Sequence, residues 1–403
     1  MAYQLLTRLG LHKYIWSSNL LSQTESSNLT EPHLEILSIG VVYPVGEIHP
    51  EDFVAFAKRH YGDSSAIRTT LKLNDASGIL VRSSVFPLHE EEMNASEAPS
   101  IGRISRLFKE HGVKLAVEAC KKAINEWGGS IEDITHLVAV TCTDSSNPGY
   151  HEIVARELKL KSDVDKVLLH GVGCSGGLAA LRTAANVLQG AAYRSKKGRA
   201  LVIATEINTS MARCALDQCK EEHRPNIAAV LFSDCASVLV LSNGVQRQEF
   251  EQPIYRILNW KQKTIPNTES EIQFNVHANG WKNVLTKDIP YIAANSVGPL
   301  FGELVRETPL DLGGQLPHPT NFDWALHPGG LAIIDGTKQA LGLSSVHLAA
   351  SYEVYRNYGN SSSATVISVM DRLRRIPGGK DYVVACAFGP GVSVEMALMV
   401  RSR

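Results

Sequence analysis

The sequence predicts a layered α/β protein in which one architectural theme occurs twice. Three observations carry that expectation. Short strand-like apolar runs alternate with amphipathic helical segments, Gly-rich turns join strand ends to helix starts, and the same succession returns after about residue 255. With 403 residues, 44% of them apolar, the chain can bury a large core and fill either two ordinary domains or one duplicated fold.

Taken in order, residues 136–141, 166–170 and 200–204 read as strands. Between the last two, 177–194 reads as a helix. Leu178, Leu181, Ala185 and Leu188 recur at spacings of three and four and so bury one face, and Gly190 falls near the C-terminal end. In the second half, strand 322–326 runs into His327-Pro-Gly-Gly330, helices follow over 331–341 and 364–373, and the last strands are 382–387 and 392–400. Residues 259–280 are polar and irregular and read as a loop or an edge strand. Residues 307–320, with Pro309, Gly313, Gly314, Pro317 and Pro319, read as an ordered loop. The expected organisation is an N-terminal arm over 1–34, one half over 35–255 and a second over 256–403.

Composition removes several classes of function. Lys plus Arg number 40 against 41 for Asp plus Glu, without a long run of one sign, so nucleic acid is not an expected partner. No apolar stretch approaches the ~20 residues needed to span a bilayer, and the N-terminus lacks a secretory pattern, which leads us to expect a cytoplasmic protein without membrane attachment. Residues 1–24 contain Arg8 and Lys13 and no acidic residue, a pattern open to organelle targeting but read here as an extra surface arm. The seven cysteines show neither a CxxC pair nor zinc-site spacing, so a metal site is not expected. Six of them read as small buried hydrophobes or pocket lining.

Cys174 is the exception, because it stands in Gly171-Val-Gly-Cys-Ser-Gly-Gly177, between a strand and an amphipathic helix. Free N–H groups and the dipole at a helix N-terminus favour a thiolate, and the glycines let a substrate approach the backbone. Taken alone, the motif serves a buried structural Cys equally well. His327 closes a strand before Pro-Gly-Gly and could be a core histidine; Asn360, in Tyr358-Gly-Asn-Ser-Ser-Ser363, could be a turn or N-cap residue. Together they share a chemistry: acyl-thioester transfer needs a thiolate, a His to hold it, and donors for a developing oxyanion or enolate.

In that order and over more than half the chain, these motifs resemble those of the type III polyketide synthases, the chalcone-synthase-like branch of the thiolase superfamily, and within it the fungal alkylresorcylic-acid and alkylpyrone synthases. Leu231-Phe-Ser-Asp-Cys235 and Phe388-Gly-Pro-Gly391 add to the likeness, which runs from about residue 35 to the end; Ser233 and Cys235 stand where the family prefers glycines. The resemblance implies a five-layered αβαβα thiolase fold with two pseudo-equivalent halves and a homodimer. It implies acyl-CoA and malonyl-CoA as substrates, with no cofactor, metal or carrier protein. It makes Cys174 the acyl-bearing nucleophile, paired with a His327 imidazolium, and gives His327 and Asn360 the oxyanion and enolate.

By the same resemblance, Phe232 is a gatekeeper beside the pantetheine tunnel and Pro390 shapes the cavity floor. Met211, Phe274 and Cys142 size the cavity, and Arg82 contacts coenzyme A phosphates. Asn283 stands where the family has a second gatekeeping aromatic, which leads us to expect a wider or more polar tunnel mouth. The expected reaction is iterative decarboxylative condensation of malonyl-CoA onto a fatty acyl starter, giving an α-pyrone or a resorcylic acid; coupling of two β-ketoacyl units into an acyl-pyrone is a variant. Alternatives are a carrier-protein-dependent ketoacyl synthase, a thiolase needing a second Cys such as Cys386, a hydroxymethylglutaryl-CoA synthase using Glu206 as base, and an inactive thioester-binding scaffold.

Overall fold

The computed structural model describes residues 33–402, so all but the last two positions of the arm assigned to 1–34, with its weakly basic segment, lie outside the described residues. Among the described residues the main sheet has nine strands in the order β11-β12-β13-β8-β1-β7-β6-β4-β5. These are β1 (Leu34–Val42), β4 (His136–Val140), β5 (Asp165–Leu169), β6 (Arg199–Ile207), β7 (Asp234–Ser242), β8 (Tyr255–Thr264), β11 (Asp323–Leu326), β12 (Tyr382–Gly389) and β13 (Ser393–Arg401). Two small hairpins lie outside it, β2 (Gly46–Ile48) with β3 (Arg82–Ser84) and β9 (Ile272–His277) with β10 (Gly280–Leu285).

The duplication is visible in the strand directions. In the first half β4 runs parallel to β5 and β6, β6 antiparallel to β7, and β7 antiparallel to β1. In the second, β11 runs parallel to β12, β12 antiparallel to β13, and β13 antiparallel to β8. The halves join where Leu34, Glu35 and Ile36 of β1 pair with Ile257, Arg256 and Tyr255 of β8. Two equivalent helices fill the space between them, Gly176–Tyr193 from the first half and Thr365–Arg374 from the second. Each touches strands of both halves and the other helix, and their apolar faces share one core with Val138, Val140, Val383 and Ala385. Helices Val113–Trp127 and Ile289–Arg306 cover the outer faces, completing the αβαβα layering of the thiolase fold.

The close approach of the central helices depends on glycine. A Cβ on Gly177 would press into the Ser363 carbonyl oxygen and lie 3.0 Å from Val366 Cγ1, and one on Gly176 would lie 2.7 Å from Val140 Cγ2. The expected edge or loop over 259–280 proves to be largely sheet: β8 pairs with β13 along its length, and β9 begins at Ile272. Its polar sequence has a local cause. Beyond Ile257 β8 has β13 alone as a neighbour, and Lys261 and Lys263 reach Glu307 and Glu303 at 2.6 and 2.9 Å instead of entering the core.

Candidate active site

Cys174, His327 and Asn360, far apart in sequence, line one cavity of about 240 Å³ at the seam between the halves. Cys174 sits in a single 3₁₀ turn, Gly173–Ser175, immediately before the first central helix. Gly173 has φ of 49°, in the left-handed region, and a Cβ there would collide with Pro390, so the glycine both makes the turn and admits the proline. His327 follows β11, and its N–H donates to the Cys386 carbonyl at 2.7 Å, which ties it to β12. Asn360 is clamped by a backbone bridge to the segment holding Phe232: its N–H donates to Leu231 O at 3.0 Å and its carbonyl accepts from Ser233 N at 2.9 Å. Its Oδ1 accepts from Ser362 N at 2.8 Å, leaving the amide nitrogen to face Gly329 O at 3.3 Å and the cavity.

Burial governs the electrostatics. It pushes the Cys174 thiol up to about 12, and the nearby Glu206 charge adds to the rise, while hydrogen bonding from Ser362 and Asn360 pulls it down. Burial likewise lowers the His327 imidazole to about 3. Burial thus works against the lowering expected from the helix N-terminus. His327 is 1% exposed, and neither ring nitrogen has a hydrogen-bond partner among the described residues. The imidazole therefore lines the same cavity as Cys174 with both ring nitrogens uncommitted among the described residues.

The remaining lining is overwhelmingly apolar. Phe232 and Phe274 form one wall as a T-shaped pair with ring centroids 5.7 Å apart, and Leu73, Leu231, Leu331 and Tyr355 contribute elsewhere. Asn283, expected at the tunnel mouth, is not on this cavity. It pairs across the hairpin with Phe274, and its backbone N and O are held by the Gln218 amide at 3.0 and 2.9 Å, so Phe274 is the second aromatic of this wall. Met211 packs with Ile104, Cys214 and Trp281, outside the catalytic cavity. Pro390 supports the nucleophile's turn, and its neighbours Phe388 and Gly389 form the surface.

Arg82 requires the largest correction. It is 3% exposed, lies over the Phe53 ring at 4.5 Å, and donates through Nη1 to Ala229 O at 3.0 Å and Phe232 O at 3.4 Å. Burial lowers it to about 10, and it cannot meet a phosphate outside the protein. Cys142 lies behind the cavity, its Sγ 3.3 Å from Ser362 Oγ and 3.4 Å from Glu206 Oε2. Glu206 is fully enclosed and accepts from Thr141 Oγ1, Thr143 Oγ1, the Cys142 N–H and Ser363 Oγ. It therefore does not reach the cavity surface, and Cys386, in β12, is a core residue. Ser362 is the residue that sequence reasoning passed over. Its φ of 49°, strained for a non-glycine residue, turns its hydroxyl toward both Cys142 and Cys174.

Comparison with known proteins agrees with this geometry. Residues 21–244 match the chalcone and stilbene synthases' N-terminal domain, and residues 256–402 match their C-terminal domain. The chain is 41% identical to the type III polyketide synthase pspB of Penicillium soppii, covering 92% of this chain and 96% of that one. It is 37% identical to the acylalkylpyrone synthase csyB of Aspergillus oryzae, over 95% and 98% of the two chains. Among solved structures, the type III pentaketide synthase from Neurospora crassa matches with a TM-score of 0.88 and 43% identity, over 92% of this chain and all of that one. CsyB complexed with CoA-SH matches with a TM-score of 0.88 and 37% identity, over 92% and 100%. With Cys174, His327 and Asn360 lining one cavity at the seam of a duplicated thiolase fold, and with both family domains spanning it, this chain belongs to the chalcone and stilbene synthase family and is a type III polyketide synthase, an acyltransferase.

Proposed function

We propose that the enzyme extends a fatty acyl starter with malonyl units from malonyl-CoA and releases an α-pyrone or a resorcylic acid. The supporting observation is the cavity itself: three polar catalytic candidates at one point of an otherwise apolar chamber of about 240 Å³, walled by two phenylalanines. In this reading Cys174 loses its proton to His327, attacks the acyl-CoA carbonyl and expels coenzyme A as thiolate. Malonyl-CoA then loses carbon dioxide, and the electron pair left on its α-carbon forms an enolate whose oxygen takes hydrogen bonds from Asn360 and the His327 imidazolium. The enolate carbon attacks the Cys174 thioester, forming the new C–C bond and releasing the thiolate for another round.

Free coenzyme A thioesters suffice here, without carrier protein, bound cofactor or metal, and the working unit is a homodimer in the cytoplasm. Likeness to an enzyme named acylalkylpyrone synthase also favours joining two β-ketoacyl units as a final step. The test is a product profile from malonyl-CoA with acetyl-, hexanoyl- and palmitoyl-CoA, run beside Cys174→Ala. Pyrones or resorcylic acids that vanish in the variant support the reading. Acceptance of acetyl-CoA alone would remove the fatty starter, and intact malonyl-CoA throughout would remove the synthase activity.

A further inference from the structure

Behind Phe232 lies a second, much smaller pocket of about 10 Å³, separated from the catalytic cavity by that side chain, which lines both. Its walls are Met211 and four alanines, yet three polar side chains open into it: Arg82, Asn208 and Asn283. Each is more than nine-tenths buried, and each has an atom with no hydrogen-bond partner among the described residues: Arg82 Nη2, Asn208 Oδ1 and Asn283 Oδ1. Their other atoms are committed. Arg82 Nη1 holds the Ala229 and Phe232 carbonyls, Asn208 Nδ2 donates to Ser233 O at 2.7 Å, and the Asn283 backbone is held by Gln218. Those contacts fix which atoms point inward. A buried unpaired polar atom costs roughly 1–3 kcal/mol, so three around one void mark a place built for an occupant.

The valences select the occupant. Arg82 Nη2 offers hydrogens, and the two amide oxygens demand them. A carboxylate would meet Arg82 but face both oxygens with like partial charge. A ketone could accept from Arg82 and leave both oxygens unpaired, and a methyl group would satisfy nothing. A hydroxyl accepts from Arg82 Nη2 and donates to one Asn Oδ1, and the volume has room for about one oxygen atom with its hydrogens. A water would meet all three atoms, accepting from Arg82 Nη2 and donating to both amide oxygens, so a substrate hydroxyl must compete with it and leaves one amide oxygen to be satisfied otherwise.

We propose that this pocket is a hydroxyl-recognition subsite, in which Arg82, Asn208 and Asn283 bind the hydroxyl on the distal part of an acyl chain carried by Cys174, reached by displacing the Phe232 ring. This rests on the polyketide synthase reading above and narrows its starter class to hydroxylated fatty acyl thioesters.

The test uses the full-length enzyme with malonyl-CoA and decanoyl-CoA, beside a series of hydroxydecanoyl-CoAs in which the hydroxyl moves one carbon at a time along the distal half. One position in the series is expected to exceed decanoyl-CoA in kcat/KM by about tenfold or more, the range for a hydroxyl paired with buried polar groups. In Asn208→Leu and Asn283→Leu that ratio should fall toward unity; a ratio within one protein is insensitive to partial loss of folded enzyme. If no hydroxylated starter outperforms decanoyl-CoA, the pocket holds a structural water only and the inference is overturned. It is equally overturned if the preference persists in both variants. Conversion of decanoyl-CoA separates these results from failure of the synthase reading, in which no starter is turned over and both ideas fall.

Discussion

Adding one methyl group at Gly177 tests whether the packing of the central helices sets the catalytic geometry. In Gly177→Ala the new Cβ meets the Ser363 carbonyl oxygen well inside van der Waals contact, with Val366 Cγ1 at 3.0 Å, so the second central helix must move. Gly to Ala in a helix interior gains about 1 kcal/mol, whereas overpacking costs about 1–3 kcal/mol, so a net destabilisation of up to about 2 kcal/mol is expected. Activity should suffer more, because Ser363 adjoins Ser362 and the turn that carries Asn360; a displacement of about 1 Å is worth about a hundredfold in rate. Gly190→Ala is the control. It lies in the same helix with no atom within 4 Å of its added Cβ, and should be stabilised by up to about 1 kcal/mol with full turnover. Urea unfolding midpoints and kcat with one starter, measured on both variants, decide the matter. Equal stability and equal kcat in the two would refute the claim that Gly177 holds Cys174 against the Asn360 turn.

Further outcomes are open to direct measurement. If His327 accepts the Cys174 proton, iodoacetamide labelling of Cys174 should vary little with pH from 6 to 9 in the wild type. In His327→Ala a lone thiol pushed up to about 12 should instead label about tenfold faster per pH unit, since the thiolate fraction rises tenfold per unit below the pKa; identical slopes would exclude the transfer. Phe274→Ala removes one ring of the T-shaped wall and should shift preference toward bulkier starters, as read from product profiles. Arg199→Met strands Glu251, whose carboxylate Arg199 holds at 2.6 Å through two nitrogens, and should lower stability by about 3–5 kcal/mol in urea titrations.

Much of the fold was legible because β4 and β6 are buried along their whole length and the half-buried edge strand β5 still carries an apolar run. The runs at 136–141, 166–170 and 200–204 became β4, β5 and β6, and the periodic Leu178 to Leu188 became the first central helix. Strand β8 was not, since the seven of its ten residues beyond Ile257 have one neighbour and include Lys261, Gln262 and Lys263, a run read as a loop or an edge strand. Cys174, His327 and Asn360 were readable for a related reason: each stands in a glycine-marked turn between a strand or helix and the next element. The cavity residues were harder. Arg82 has the composition of a surface residue, and only the meeting of β3 with the segment before β7 encloses it. Asn283 and Phe274 face each other across a hairpin, so an assignment by position alone cannot tell which one meets the substrate.

The anchoring of His327 to β12 orders events during synthesis. Cys174 and its helix leave the ribosome with the first half, but the imidazole is held only once Cys386 can offer its carbonyl, and the wall at Phe388 closes later still. The last strands of the polypeptide therefore complete the cavity around Cys174. A chain truncated before β12 would keep Cys174 and its helix but lack both the carbonyl that holds His327 and the Phe388 wall of the cavity.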